Sequence, residues 1–341
     1  MPEAKFHQKI AWFNFICCLM VIWTHSGNAD LFFPELGQDA PWWHFQYPVM
    51  QEILRVDIPC FIMLSAYLFY RNFTMKRLGE KLNKRLHSLL VPYLLWNTIY
   101  YVAYVAASRI PGLQTIANRT DLVITTSGGM AGDHQVHLQS GVLVHVSDHF
   151  AGAAGTGAVS VSEKYLDRRG ISAGAACGTF EGVALPELNL DALIYYSFAA
   201  YAALHGRKWA EAVWSWKRAA LGVCLLAVGI VLSRSYYTHY FVPGIVLYQL
   251  LAVIDIWMMV NERWLGEVRP FMTCTFFIYA THFVVVRFLN KAAALLFPGS
   301  QLVSMFMYVC MPLLAVTLCY QAARVLRRYR PDIWKTLNGG R

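Results

Sequence analysis

The chain has 341 residues, of which 57% are hydrophobic and only 14% charged, with a mean hydropathy of +0.40. That much apolar surface exceeds what a soluble core of this length buries, so an ordinary soluble enzyme is excluded and an integral membrane protein is indicated. The formal net charge of +9 does not point to nucleic acid, because the Lys and Arg fall in short loops between apolar runs, as cytoplasmic loops of membrane proteins do.

A membrane span needs about 20 apolar residues. The first such run, "KIAWFNFICCLMVIWTH", lacks a small-residue cleavage pattern and reads as a retained first span rather than a signal peptide. Eight spans are predicted, near 10–26, 52–70, 88–107, 189–204, 219–233, 238–260, 270–289 and 302–323. The fold class is therefore all-α, a polytopic transmembrane helix bundle. Eleven Trp, nineteen Tyr and twenty Phe suit belts at the helix ends. Cys17, Cys18, Cys60, Cys224, Cys274, Cys310 and Cys319 lie inside apolar runs, where they read as small hydrophobes. The basic stretches 71–87, 205–218 and the tail from Arg324 are expected to face the cytoplasm, whereas the loop 26–51 carries no Lys or Arg and should face outward. Both termini are then cytoplasmic.

Three regions follow: 1–107 with three spans, 108–188, and 189–341 with five more spans and a basic tail. The middle region starts and ends outside, so it must hold an even number of spans, yet none is legible. Eleven of the 23 Gly fall between 128 and 182, and Gly is unfavourable within helices. Two readings stay open: a long extracytoplasmic loop, or a frame-shifted text over part of 113–185 that hides two spans. Asp133, His134, His137, His145 and His149 have spacings that zinc can use. No helix or strand pattern supports such a site, and no metal is expected.

Four stretches carry a resemblance. "VIWTHSG" closes span one, "RVDIPCFIMLSAYLFYRNF" is span two, "KRLHSLLVPYLLWN" opens span three, and "FFIYATHFVVVRFL" comes late in the chain. Together they resemble the membrane acyltransferase-3 family, whose members O-acylate carbohydrates and related acceptors. The resemblance implies ten spans, an acyl-CoA co-substrate (acetyl-CoA or succinyl-CoA), a carbohydrate acceptor and a bacterial inner membrane. It implies no bound cofactor.

His25 closes span one on the outward side. An ionisable group there is a functional candidate, its ordinary pKa suits proton abstraction from a hydroxyl, and the resembled family has its essential His at this place. The alternative is an interfacial His near Ser26 or Asp30. Asn14 stands where the family commonly has Arg or Lys; it is a substrate-binding candidate that cannot neutralise charge. Arg55 could hold a developing oxyanion, or snorkel and pair with Asp57. Arg71, Lys84 and Arg85 could capture donor phosphates, or mark only the cytoplasmic side. His282 sits near mid-span, with Tyr279 on the same helical face; it is a further catalytic candidate, and Tyr279 and Asn97 are substrate-binding ones. Ser65 and Tyr67 can hydrogen-bond between helices. Two rival functions remain at this stage: a transporter or exporter of a polysaccharide precursor, and an inactive relic of the enzyme.

Overall fold

The computed structural model describes residues 1–110, 190–236 and 243–340. Nearly all of region 108–188 lies outside them, and with it the frame-shift reading and the His-rich stretch 133–149. Among the described residues all regular structure is helical.

The described residues hold thirteen α-helices, in order α1 (Glu3–Thr24), α2 (Ala29–Phe32), α3 (Trp43–Pro48), α4 (Asp57–Tyr70), α5 (Leu78–Arg85), α6 (Val91–Arg109), α7 (Leu190–His205), α8 (Arg207–Ala210), α9 (Trp216–Tyr236), α10 (Pro243–Met259), α11 (Thr275–Leu296), α12 (Gln301–Tyr329) and α13 (Pro331–Leu337). Among the described residues, four helical stretches are long and apolar enough to cross a membrane: Glu3–Phe32, Met75–Ala107, Pro270–Leu296 and Gln301–Tyr329. A shorter apolar helix covers Gly244–Met259. The other expected spans appear as helices α4, α7 and α9, below that threshold of length or apolarity.

The expected span 52–70 needs correcting. A π-helical turn over Val49–Ile53 and a 3-10 turn over Leu54–Val56 come first, and regular α-helix begins only at Asp57. The basic stretch 71–87 is not a plain loop either, because α5 and a π turn over Leu86–Leu90 run almost directly into α6. Nor is the basic tail loose. α13 folds back so that Trp334 and Leu337 pack with Trp96 and Phe277, and Trp96 Nε1 donates to the Leu337 carbonyl at 3.1 Å. Gly339 completes this return at φ +66°, and a Cβ there would run into the Ser88 carbonyl. Gly339→Ala is expected to destabilise the fold by about 1–3 kcal/mol, read as a lowered thermal midpoint in detergent.

α1 is the axle of the bundle. Its buried residues face two separate cores, although Glu3, Ala4, His7 and Ile16 stay exposed. Cys18 and Ile22 join one core with Trp96, Tyr100, Ile278 and Met311. Phe6, Ile10, Phe13 and Cys17 join another with Cys60, Leu64, Tyr195 and Val253. Lipid gives such helices no hydrophobic drive to associate, so close packing and buried polar links hold them. Gly222 of α9 is one packing device, since a Cβ there would press on the Asp255 backbone of α10 at 3.2 Å. The cysteines of the described residues are free, and five of the seven are buried.

α1 and α11 run side by side and parallel. Trp12 Nε1 donates to Gly266 O at 2.8 Å, Cys18 Sγ reaches Thr275 O at 3.9 Å, and Asn290 Nδ2 donates to Ser26 O at 3.2 Å. One end of the bundle, called here the basic end, gathers Lys9, Arg71, Lys81 and Arg207. The far end carries His25 and the segment 26–48.

Candidate functional site

The residue that caps the C-terminus of α1 and the buried ridge of α11 bring two imidazoles together. His25 and His282 stack with ring centroids 5.5 Å apart and planes 26° from parallel. Phe283 meets His25 edge-on at 5.5 Å. His282 is 4% exposed, whereas His25 is half-buried. The Nδ1 of His282 lies 2.5 Å from the Tyr279 carbonyl. A carbonyl can only accept, so Nδ1 carries the proton, and in the neutral ring Nε2 bears the lone pair. With Nδ1 donating, the neutral form of His282 is the Nδ1–H tautomer.

Below the pair, at the seam between the two cores, lies a cavity of about 360 Å³. Its lining includes His7, Asn14, Ser65, Arg85, Thr273 and Tyr279. It begins at the basic end, where His7 and Thr273 are exposed. Because Cys18 lies opposite Thr275, Tyr279 stands level with Ile22. From His7 to that level α1 rises roughly 22 Å. The top of the cavity therefore lies one helical turn short of His282. Asn14 and Tyr279, expected from sequence to bind substrate, share this one cavity with Arg85, expected to bind the donor.

The cations of the basic end have distinct placements. Lys9 is 4% exposed and donates to the Trp257 and Val260 carbonyls at 2.7 Å each, closing the C-terminus of α10. Lys81 does the same for α4 through the Phe69 and Arg71 carbonyls, at 2.5 and 3.0 Å. Arg71 is 7% exposed and forms two forks. One meets Glu3 at 2.5 and 2.6 Å, the other Glu211 at 2.7 and 3.0 Å. Phe6 lies under its guanidinium at 4.2 Å. The hydrogen bonds to Glu3, then those to Glu211, push Arg71 above its already high ordinary pKa. Burial would raise Glu211, but its bonds with Arg71 and Tyr67 prevail and hold it below the usual carboxylate range. Two carboxylates thus occupy the donors with which Arg71 would meet a phosphate. Lys84 is exposed and does not line the cavity. Arg85 does line it, anchored by two 2.9 Å hydrogen bonds to Ser65 Oγ and the Ser65 carbonyl.

Arg55 stands in the 3-10 turn before α4. Gln249 donates to its carbonyl at 3.2 Å, and its charge acts on Asp57, Asp191 and Tyr195. Asn97 is 8% exposed and donates back to the Tyr93 carbonyl at 2.8 Å within α6.

Sequence reasoning missed a buried polar cluster at the far end. It joins Ser26, Asn28, Gln46, Asn290 and Ser304, all 2% exposed or less. One signal was present: Asn290 follows Ile278, His282 and Val286 at steps of four, an uninterrupted ridge on α11. Glu211 and Lys9 were also missed; Lys9 sits just where the first apolar run begins and was taken as its boundary.

Residues 9–119 match the family model described as an acyltransferase domain. That is the family the four sequence stretches resemble, and the apolar helices around the matched segment are those of a membrane protein. The match contains Asn14, His25, Arg55, Arg71, Lys84, Arg85 and Asn97, whereas Tyr279 and His282 lie beyond it. No curated protein and no solved structure matches the chain.

Proposed function

We propose that the chain is an O-acyltransferase of a bacterial inner membrane, with both termini cytoplasmic. It takes an acetyl or succinyl group from acyl-CoA at the basic end and passes it to a hydroxyl of an exported or cell-surface carbohydrate at the far end. The observation that carries this reading is the cavity of about 360 Å³ that rises from the basic end to Tyr279, whose carbonyl fixes the imidazole stacked on His25.

The donor's pantetheine arm fits a narrow, mostly apolar channel, with Arg85 a fixed cation along it and Asn14 a polar group further up. The thioester carbonyl arrives below the imidazole pair. His25, the half-buried ring, takes the acceptor hydroxyl proton as the oxygen attacks that carbonyl. A C–O bond forms and the carbonyl electrons move to its oxygen. Collapse of the intermediate breaks the C–S bond, and the imidazolium returns its proton to the departing thiolate. A thioester is already activated, so placing the reactants and moving one proton suffices. His282, buried beneath His25 with Nδ1 tethered, supports the charge that His25 acquires.

The test blocks the route without touching the histidines. Ala11 lines the same cavity, and Ala11→Trp fills it. Transfer of radiolabel from acyl-CoA to carbohydrate in membrane vesicles should show KM for the donor raised by about tenfold or more. Arg85→Gln should raise it by roughly 10–100-fold, as expected for losing a charge-assisted hydrogen bond worth about 1.5–3 kcal/mol. Parent kinetics in both variants would sink the cavity as the donor path.

A further inference from the structure

We infer that Asn290 is a positioning residue that sets the imidazole pair, an inference resting on the acyl-transfer reading above. His25 ends α1 and His282 lies on α11, so their stacking depends on how far one helix has slid along the other. Apolar side chains between membrane helices resist such sliding only through packing. Asn290 adds directional bonds at the point where they count. It lies on the same buried ridge as His282, two turns further on. Its Nδ2 donates at 3.2 Å to the carbonyl of Ser26, the residue that directly follows His25. Its Oδ1 accepts from Asn28 Nδ2 at 3.1 Å. The helix that carries His282 therefore grips the chain on the exit side of His25 at two points.

The grip is itself braced. Asn28 Nδ2 also donates to the Ser304 carbonyl at 3.1 Å, and its Oδ1 accepts from Ser304 Oγ at 2.9 Å and from Gln46 Nε2 at 3.1 Å. Gln46 Oε1 in turn accepts from the Asn28 and Ala29 amides at 3.1 and 3.2 Å. Each amide in the cluster uses both its oxygen and its nitrogen. A buried network in which every amide oxygen and nitrogen has a partner favours one arrangement, because any slip leaves a polar group without a partner in a low-dielectric setting. None of Asn28, Gln46, Asn290 and Ser304 lines the donor cavity. Their contribution is geometric, and misplacing a reacting group by about 1 Å can cost a hundredfold in rate.

Two measurements test this. In the first, Asn290→Ala should lower kcat per folded enzyme by roughly 10–100-fold, with KM for acyl-CoA unchanged. The second needs no activity. In a chain carrying His25→Cys and His282→Cys, mild copper oxidation should form a bridge between these positions, identified by mass spectrometry. Adding Asn290→Ala should slow that bridge by tenfold or more. An unchanged bridging rate overturns the inference, whatever happens to kcat, and so does a rise in donor KM at parent kcat. If Asn290→Ala does not fold, Asn290→Ser replaces it under the same criteria. Should the parent chain transfer no acyl group at all, the functional reading fails while the bridging experiment still decides the role of Asn290.

Discussion

Replacing His25 by Ala is expected to lower the rate of acyl transfer by about a hundred- to ten-thousand-fold, the range that a positioned general base supplies. Acyl-CoA binding should survive, because His25 does not line the donor cavity. The division of labour between the two imidazoles makes the test sharper. His282 is tethered through Nδ1 to Tyr279 and buried, whereas His25 is half-buried at the end of α1. If His25 is the base, His25→Ala should abolish most transfer, and His282→Gln should cost less, since an amide can still hold the tether to the carbonyl. The reverse order would make His282 the base and His25 its cover. Parent activity in His25→Ala would remove the proposed chemistry altogether. A companion measurement concerns side. A membrane-impermeant reagent should reach His25→Cys from outside intact cells, and labelling only from the cytoplasmic side would place the pair at the wrong mouth.

Much of the fold could be read from hydropathy, because a helix that must satisfy its backbone inside lipid leaves a long apolar run in the text. α1, α11 and α12 were visible for that reason. What hydropathy could not show was irregular helix. The turns over Val49–Val56 and Leu86–Leu90 depend on how the chain meets its neighbours, and their composition resembles that of the regular helix around them. The return of α13 was hidden for a related reason: a run of Arg and Lys signals cytoplasm, and Trp334 and Leu337 within it look like stray apolar residues until Trp96 and Phe277 are placed beside them.

The site was legible in part. His25 and His282 were visible as ionisable groups in apolar runs, and their pairing needed the parallel packing of α1 on α11, which no single-sequence pattern reveals. Among the cations, sequence gave no means to rank Arg71, Lys84 and Arg85. Their difference lies in partners distant along the chain. Glu3 and Glu211 converge on Arg71 from 68 and 140 residues away, while Ser65 holds Arg85 against the cavity. The far-end amide cluster was hidden for the same reason apart from the ridge position of Asn290, since Asn28, Gln46 and Asn290 come from three separate stretches.

Arg71→Ala is expected to destabilise the protein by about 1.5–3 kcal/mol, the worth of hydrogen bonds to charged groups, because Tyr67 and Arg207 still hold Glu211 and Glu3 is exposed. Its side chain is 6% exposed, and that of Glu211 is 12% exposed, so the pair is not a surface contact of small worth. Removing Arg71 leaves Glu211 with Tyr67 and Arg207, and leaves Phe6 without the cation over its ring. Arg71→Lys should recover only a part, because a single ammonium cannot make two forks. The pH dependence has a definite sign. Glu211 is held below the ordinary carboxylate value, so it binds fewer protons folded than unfolded. Its contribution is fully present above the unfolded value of about 4.3 and is lost as pH falls through its lower folded value. Glu211→Gln should therefore remove part of the acid-side fall in thermal midpoint while lowering the midpoint near pH 7. An acid limb that stays the same in Glu211→Gln would show that the carboxylate does not bind Arg71 as drawn. Because Arg71 is an anchor in this arrangement and Arg85 lines the cavity, the two should separate experimentally: Arg71→Ala should shift the thermal midpoint more than donor KM, and Arg85→Gln donor KM more than the midpoint.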